Sequence, residues 1–180
     1  NRTARSRAPE VVELERSMLN AFLAELKQHA DPVVAEGQRN YLKIDRVYLG
    51  VRVPRITEVA RRTASRLTED QLLLLCDQLW KTDINDALIA VGKILENKAV
   101  DDTLAVWSRI DRFKEDFDSW AIADALAHAA FRCLDQHPSL LDEIERNWLG
   151  HPSFWVRRGA LVYTLFLGKQ GRDPERPLRW

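Results

Sequence analysis

Ile84-Asn-Asp-Ala-Leu-Ile-Ala-Val-Gly-Lys-Ile-Leu95 is the stretch whose pattern decides the fold. Its apolar residues Ile84, Ala87, Leu88, Val91, Ile94 and Leu95 recur at i, i+3, i+4 and i+7, which lays one stripe along a helix. The same period continues outward in both directions. It predicts helices over roughly 9–29, 54–66, 69–81, 84–97, 101–110, 119–135, 138–149 and 152–168. Thr68 with Gln71 forms a capping box, and Asp83, Asp101 and Asp118 or Ser119 each precede a periodic run. Pro54, Pro138 and Pro152 suit a first helical turn, while Gly37, Gly50 and Gly150 fall at the breaks. Tyr48-Leu-Gly-Val-Arg-Val-Pro54 alternates like a strand but stands alone, and a lone strand cannot satisfy its backbone.

Helices of roughly 10–18 residues joined by short turns predict antiparallel pairs, repeating about every 35 to 40 residues from Asp83 onward, near the range of HEAT-type units. Self-similarity between the units is weak, which leaves a compact bundle open as well. The expected fold is all-α: a HEAT-like helical-repeat solenoid with a concave face, residues 1–180 forming a single domain. Such a face suits an extended partner.

At 180 residues, 46% of them hydrophobic, the chain can bury a sizeable core. Its 27 basic and 27 acidic side chains cancel, but unevenly along the sequence. Residues 1–66 carry 13 Lys/Arg against 8 Asp/Glu, residues 67–147 carry 8 against 17, and residues 148–180 carry 6 against 2. Two basic ends flank an acidic middle, so a basic face is compatible with zero net charge. Apolar runs are too short for a membrane span, and no signal peptide is evident. Cys76 and Cys133 are too few for a disulfide scaffold or a zinc cluster. The expectation is a reduced, cytoplasmic protein without metal or cofactor. There is no glycine-rich phosphate loop and no nucleophile elbow.

Two constellations remain for chemistry. In Asp118-Ser-Trp-Ala-Ile-Ala-Asp-Ala-Leu-Ala-His128, the residues Trp120, Asp124 and His128 stand at i, i+4 and i+8 and are expected on one helix face, opposite Ile122, Ala123, Leu126 and Ala130. Asp is a poor helix-interior residue, so Asp124 either pairs with an Arg of the next helix or is presented to a ligand. His128 reads as a packed or surface residue. In His151-Pro-Ser-Phe-Trp-Val-Arg-Arg-Gly-Ala160, Arg157 and Arg158 point about 100° apart, so only one faces inward beside Val156, Ala160, Val162 and Leu165. That Arg either knits two helical pairs together or grips phosphate through its planar fork. Gly159 points to close approach of a neighbouring helix or ligand. Six tryptophans are many for this length, and Trp120 and Trp155 adjoin the polar residues just named, as in sites that hold a sugar or base.

Taken in order, Tyr41-Leu-Lys43, Tyr48-Leu-Gly-Val-Arg-Val-Pro54, Leu79-Trp80, Ser119-Trp-Ala-Ile-Ala-Asp124 and Trp155-Val-Arg-Arg-Gly-Ala160 resemble the motifs of the DNA alkylation repair family, the AlkD-like glycosylases built from HEAT-like repeats. The likeness runs from Tyr41 to Lys169. It implies hydrolysis of the N-glycosidic bond of alkylated purines such as N3-methyladenine and N7-methylguanine. Such enzymes bind damaged duplex DNA in a concave basic groove, without metal, cofactor or the usual extrusion of the base into a pocket. By that resemblance Asp124 is the catalytic aspartate, Trp120 lies against the deoxyribose and Arg158 contacts the DNA backbone. Tyr41 falls on a motif tyrosine, and Trp155 and Arg157 are expected among the DNA contacts. A monomer associated with double-stranded DNA is expected. The family places another active-site tryptophan in a helical pair beyond residue 180. Trp180 stands too early to be it, so the complete protein is expected to continue by a few tens of residues. The acids Asp111, Glu115, Asp116 and Asp118 just before Trp120 would be unfavourable against phosphate if they faced it.

Overall fold

The computed structural model describes the backbone of residues 3–173 and 175–180, and the side chains of residues 12–173 and 175–180. The chain forms α1 (Thr3–Lys27), α2 (Pro32–Leu42), α3 (Val53–Ala64), α4 (Glu69–Trp80), α5 (Asn85–Leu95), α6 (Thr103–Phe113), α7 (Trp120–Ala125), α8 (Ala127–Gln136), α9 (Leu140–Asn147), α10 (Phe154–Lys169) and α11 (Glu175–Leu178). A 3-10 turn over Lys114–Asp116 links α6 to α7. The fold is all-α, and among the described residues the one β contact is an isolated parallel bridge between Val47 and Ile84.

The helices lie in two layers. In the front layer α3, α5, the α7–α8 segment and α10 each pack against the next, with α4, α6 and α9 behind them and α1 against α3 and α4. Front-layer units begin at residues 53, 85, 120 and 154, steps of 32 to 35 residues. Hydrogen bonds between units keep that period. Arg109 donates to Asp77 at 2.9 Å, the Trp148 indole to Asp111 at 2.8 Å and Arg132 to the Asn97 carbonyl at 3.0 Å, across 32, 37 and 35 residues. A helical repeat is therefore visible in bonding even where the sequence shows little self-similarity.

The stripe of α5 behaves as its spacing requires. Ala87, Leu88, Val91, Ile94 and Leu95 are buried, and Ile84 packs on the core. A fully buried Ile or Leu contributes roughly 1.5–3 kcal/mol. Half of the tryptophans serve the same core. Trp107 stacks on Trp148 at 5.6 Å, and Trp80 on Phe113 at 4.3 Å. Thr68 and Gln71 form the capping box that starts α4.

Several local expectations need correction. Gly37 lies inside α2, which Asp31 caps by accepting from Val33 and Val34 with Pro32 following. No contact crowds Gly37, so the residue is tolerated on an exposed helix rather than ending one. Asp83 does not cap α5: it sits at φ 51° and pairs with Arg46, and Ile84 holds the cap position. Asp102, one residue past the expected Asp101, caps α6 by accepting from Ala105. Pro138 and Pro152 precede α9 and α10 rather than opening them. Leu165 is exposed, and the buried stripe of α10 is Val156, Gly159, Ala160, Tyr163, Thr164 and Leu167. The expected helix 119–135 is two helices, broken at Leu126.

The strand-like segment satisfies its backbone without a sheet. Asp86 in the first turn of α5 is fully buried and accepts from Leu49 N–H at 2.8 Å and Val51 N–H at 2.6 Å. Asp31 N–H reaches the Leu49 carbonyl at 3.1 Å, and Asn85 N–H the Val47 carbonyl at 2.9 Å. Gly50 between them has φ 77°, and a Cβ there would stand 2.1 Å from the Asp31 carbonyl oxygen, so α2 seats directly on it.

Candidate active site

The six residues of α7 are fixed at both ends. At its start the nearly buried Arg46 side chain joins Asp118 at 2.6 Å and Asp83 at 3.1 Å, tying α7 to the head of α5. At its end the Ala125 carbonyl lies against Gly92 of α5, where a Cβ would stand 2.0 Å from the oxygen. With Ile122 and Ala123 buried, the remaining face of α7 turns to solvent. Trp120 and Asp124, one turn apart, stand on that face.

They line a cleft of about 370 Å³ together with Tyr41 from α2 and Lys93 from α5. The Tyr41 ring meets Trp120 edge-on, centroids 6.2 Å apart. Arg158 from α10 donates to Asp124 Oδ2 at 2.7 Å, and Asp124 Oδ1 is covered without a hydrogen-bond partner among the described residues. An unpartnered carboxylate oxygen costs roughly 1–3 kcal/mol or more, which a hydrogen-bond donor or a cation offsets. The Asp124 hydrogen bond raises the Arg158 pKa above its ordinary value, so the guanidinium stays charged. Burial, with the Asp124 charge second, pushes the Tyr163 hydroxyl well up, and that hydroxyl donates to the Ala123 carbonyl at 2.7 Å.

Asp124 and Trp120 thus come together with Arg158 and Tyr41. Asp124 pairs with an arginine of the next unit and is also 27% exposed, and Trp120 is 43% exposed. Asp124 is the penultimate residue of α7 rather than mid-helix, and the break at Leu126 removes His128 from the row. His128 sits on α8, exposed, its ring 5.4 Å from Phe166. Arg158 is the inward arginine. Arg157 is exposed and folds back on the Pro152 carbonyl at 2.9 Å, and Trp155 is half-buried with its ring edge-on to Phe154; neither lines the cleft. Gly159 accommodates Trp148 and Phe117, not a ligand.

Gln38, Asn85 and Lys93 also line the cleft and were not singled out from sequence. Asn85 is buried, and its Oδ1, like Gln38 Oε1, has no partner among the described residues. The acids ahead of Trp120 are occupied elsewhere. Asp111 accepts from Trp148 and Lys114, Asp116 from Trp80 at 2.9 Å, and Asp118 from Arg46, while Glu115 pairs with His151 at 3.3 Å. None of the four lines the cleft. Cys76 and Cys133 are buried free thiols, and burial pushes Cys133 up to about 12. Among the described residues, no group of three His, Cys, Asp or Glu could hold a metal ion, and no helix is long and apolar enough to cross a membrane.

Fold and site together define an all-helical repeat protein whose front layer presents a carboxylate beside an indole and an arginine. The chain belongs to the family of DNA alkylation repair enzymes, whose model matches residues 22–180 and so includes the whole cleft. No curated protein and no solved structure matches it.

Proposed function

We propose that the protein is a DNA glycosylase that hydrolyses the N-glycosidic bond of alkylated, cationic purines such as N3-methyladenine and N7-methylguanine in duplex DNA. The supporting observation is Asp124, its side chain partly exposed in one cleft beside the exposed Trp120. An alkylated purine already carries positive charge and leaves as a neutral base, taking the electron pair of its bond to C1′. The deficit falls on the sugar. A carboxylate and an indole face stabilise that cation by Coulomb and cation–π attraction. A water then bonds to C1′ and gives its proton to solvent. Arg158 holds one carboxylate oxygen of Asp124 and keeps the group oriented, and its partly exposed guanidinium can offer a phosphate a donor other than the covered Nε.

The test is release of N7-methylguanine from methylated duplex under single-turnover conditions. Asp124→Asn is expected to lose at least about 100-fold in rate, the scale of removing one preorganised charge from a transition state. Near-normal release by that variant would overturn the assignment. A second reading, a non-catalytic HEAT-like module binding DNA, including branched DNA, or protein, draws on the 34-residue span of Asp124–Arg158, which matches the purely structural bonds between units. Under it the wild type releases no base, and Asp124→Asn lowers only the melting temperature.

A further inference from the structure

α7 is too short to hold its own place. A helix of six residues lies far below the length at which helices persist alone, and Ser119 gives its first turn no side-chain cap. Its position is therefore imposed by neighbours, and α10 holds it at two points. Arg158 donates to the Asp124 carboxylate at 2.7 Å. Five residues further along α10, the Tyr163 hydroxyl donates to the Ala123 carbonyl, also at 2.7 Å. One bond holds a side chain, and the other holds the backbone one residue before it.

The Tyr163 bond has the features of a fixed support. Tyr163 is fully buried, its ring edge-on to Trp148 with centroids 5.6 Å apart. Phenylalanine would fill the same space, and a buried hydroxyl costs free energy unless it is bonded, so the oxygen is there for its partner. That partner lies in the last turn of α7, whose carbonyls lack helical donors, and the Leu126 N–H reaches it only at 3.3 Å. Carbonyls at a helix end also gather negative partial charge, which is unfavourable beside a carboxylate, and the hydroxyl proton on the Ala123 oxygen offsets part of it. Burial, with the Asp124 charge second, keeps that proton in place.

We propose that Tyr163 is a positioning residue for base release: through the Ala123 carbonyl its hydroxyl fixes the backbone that carries Asp124, while Arg158 fixes the carboxylate. The inference rests on the glycosylase reading above and adds to it a residue out of a ligand's reach. Without the hydroxyl, the turn that bears Asp124 loses its shortest tie to α10, and a displacement near 1 Å at a reacting centre costs on the order of 100-fold in rate.

Single-turnover release of N7-methylguanine from methylated duplex, followed over a range of enzyme concentrations, separates the maximal rate from the half-saturating concentration. In Tyr163→Phe the maximal rate is expected to fall roughly 10- to 100-fold. The half-saturating concentration should stay at the wild-type value, since neither a charge nor an exposed group is altered. Tyr163→4-aminophenylalanine returns a donor to the same place and should recover most of the lost rate. Melting curves set the assay temperature below the transition of every variant. A wild-type maximal rate in Tyr163→Phe, with the rate lost in Asp124→Asn, overturns the positioning role and leaves the glycosylase reading standing. A Tyr163→Phe defect confined to the half-saturating concentration, or one that 4-aminophenylalanine does not relieve, does the same. Undiminished release by Asp124→Asn, or none by the wild type, removes the glycosylase reading and the positioning role with it.

Discussion

Asp86 does for the segment around Gly50 what a neighbouring strand would do, receiving two backbone N–H groups with its two carboxylate oxygens in a site closed to solvent. Asn at this position keeps one acceptor and turns an NH2 against the second N–H. Asp86→Asn is therefore expected to lower unfolding free energy by roughly 2–3 kcal/mol, the cost of stranding a buried donor and acceptor. Urea unfolding measures it, and a loss below about 0.5 kcal/mol would show that the carboxylate does not hold the segment. In the sequence Asp86 reads as an acid in a first helical turn, which the helix dipole alone would favour. Its real partners are 35 and 37 residues away, beyond any local pattern. Asp124, Trp120 and Arg158 stood out because an acid, an indole and an inward arginine are unusual company on apolar helices. Lys93 and Asn85 gave no such signal, since they belong to the cleft only through the position of α2 and α7 beside α5.

The elements themselves were legible wherever a buried stripe sets the period, as in α4, α5 and α6. The division at Leu126 was not, because apolar periodicity runs on through Ile122, Leu126 and Ala130, all fully buried on both sides of the break. What fixes α7 separately is contact with α5 at Gly92, and that contact places Asp124. Gly92→Ala puts a methyl 2.0 Å from the Ala125 carbonyl oxygen, and the obstacle is backbone, so α7 has to move. Overpacking of this kind costs roughly 1–3 kcal/mol. A shift near 1 Å at a reacting centre costs on the order of 100-fold in rate. The variant should melt earlier and release methylated purine far more slowly. Unimpaired single-turnover release would show that Asp124 does not depend on this contact.

Across the whole molecule, several acids of the acidic middle bond between repeat units. Asp77, Asp111, Asp116 and Asp118 each bond a residue of another unit or of the segment before α3. The same logic holds α11. Arg176 donates to Glu145 at 2.6 Å and also bonds Asp142, and the Trp180 indole donates to Glu145 at 2.9 Å. The Arg176 bond, with Trp180 second, lowers the Glu145 pKa to about 2 from an ordinary 4.5. A carboxylate whose pKa falls on folding stabilises the folded contact above its unfolded value, and that contribution disappears as pH falls toward the folded one. Docking of α11 should therefore be fully present at neutral pH and weaken between about 4.5 and about 2. Hydrogen exchange over residues 175–180, expressed as protection relative to the unstructured rate, should decline across that window. In Glu145→Gln it should be low already at neutral pH and change little on acidification. Protection in the wild type that stays level down to about 2, or a Glu145→Gln variant as protected as wild type at neutral pH, would mean that α11 is held by something other than this carboxylate.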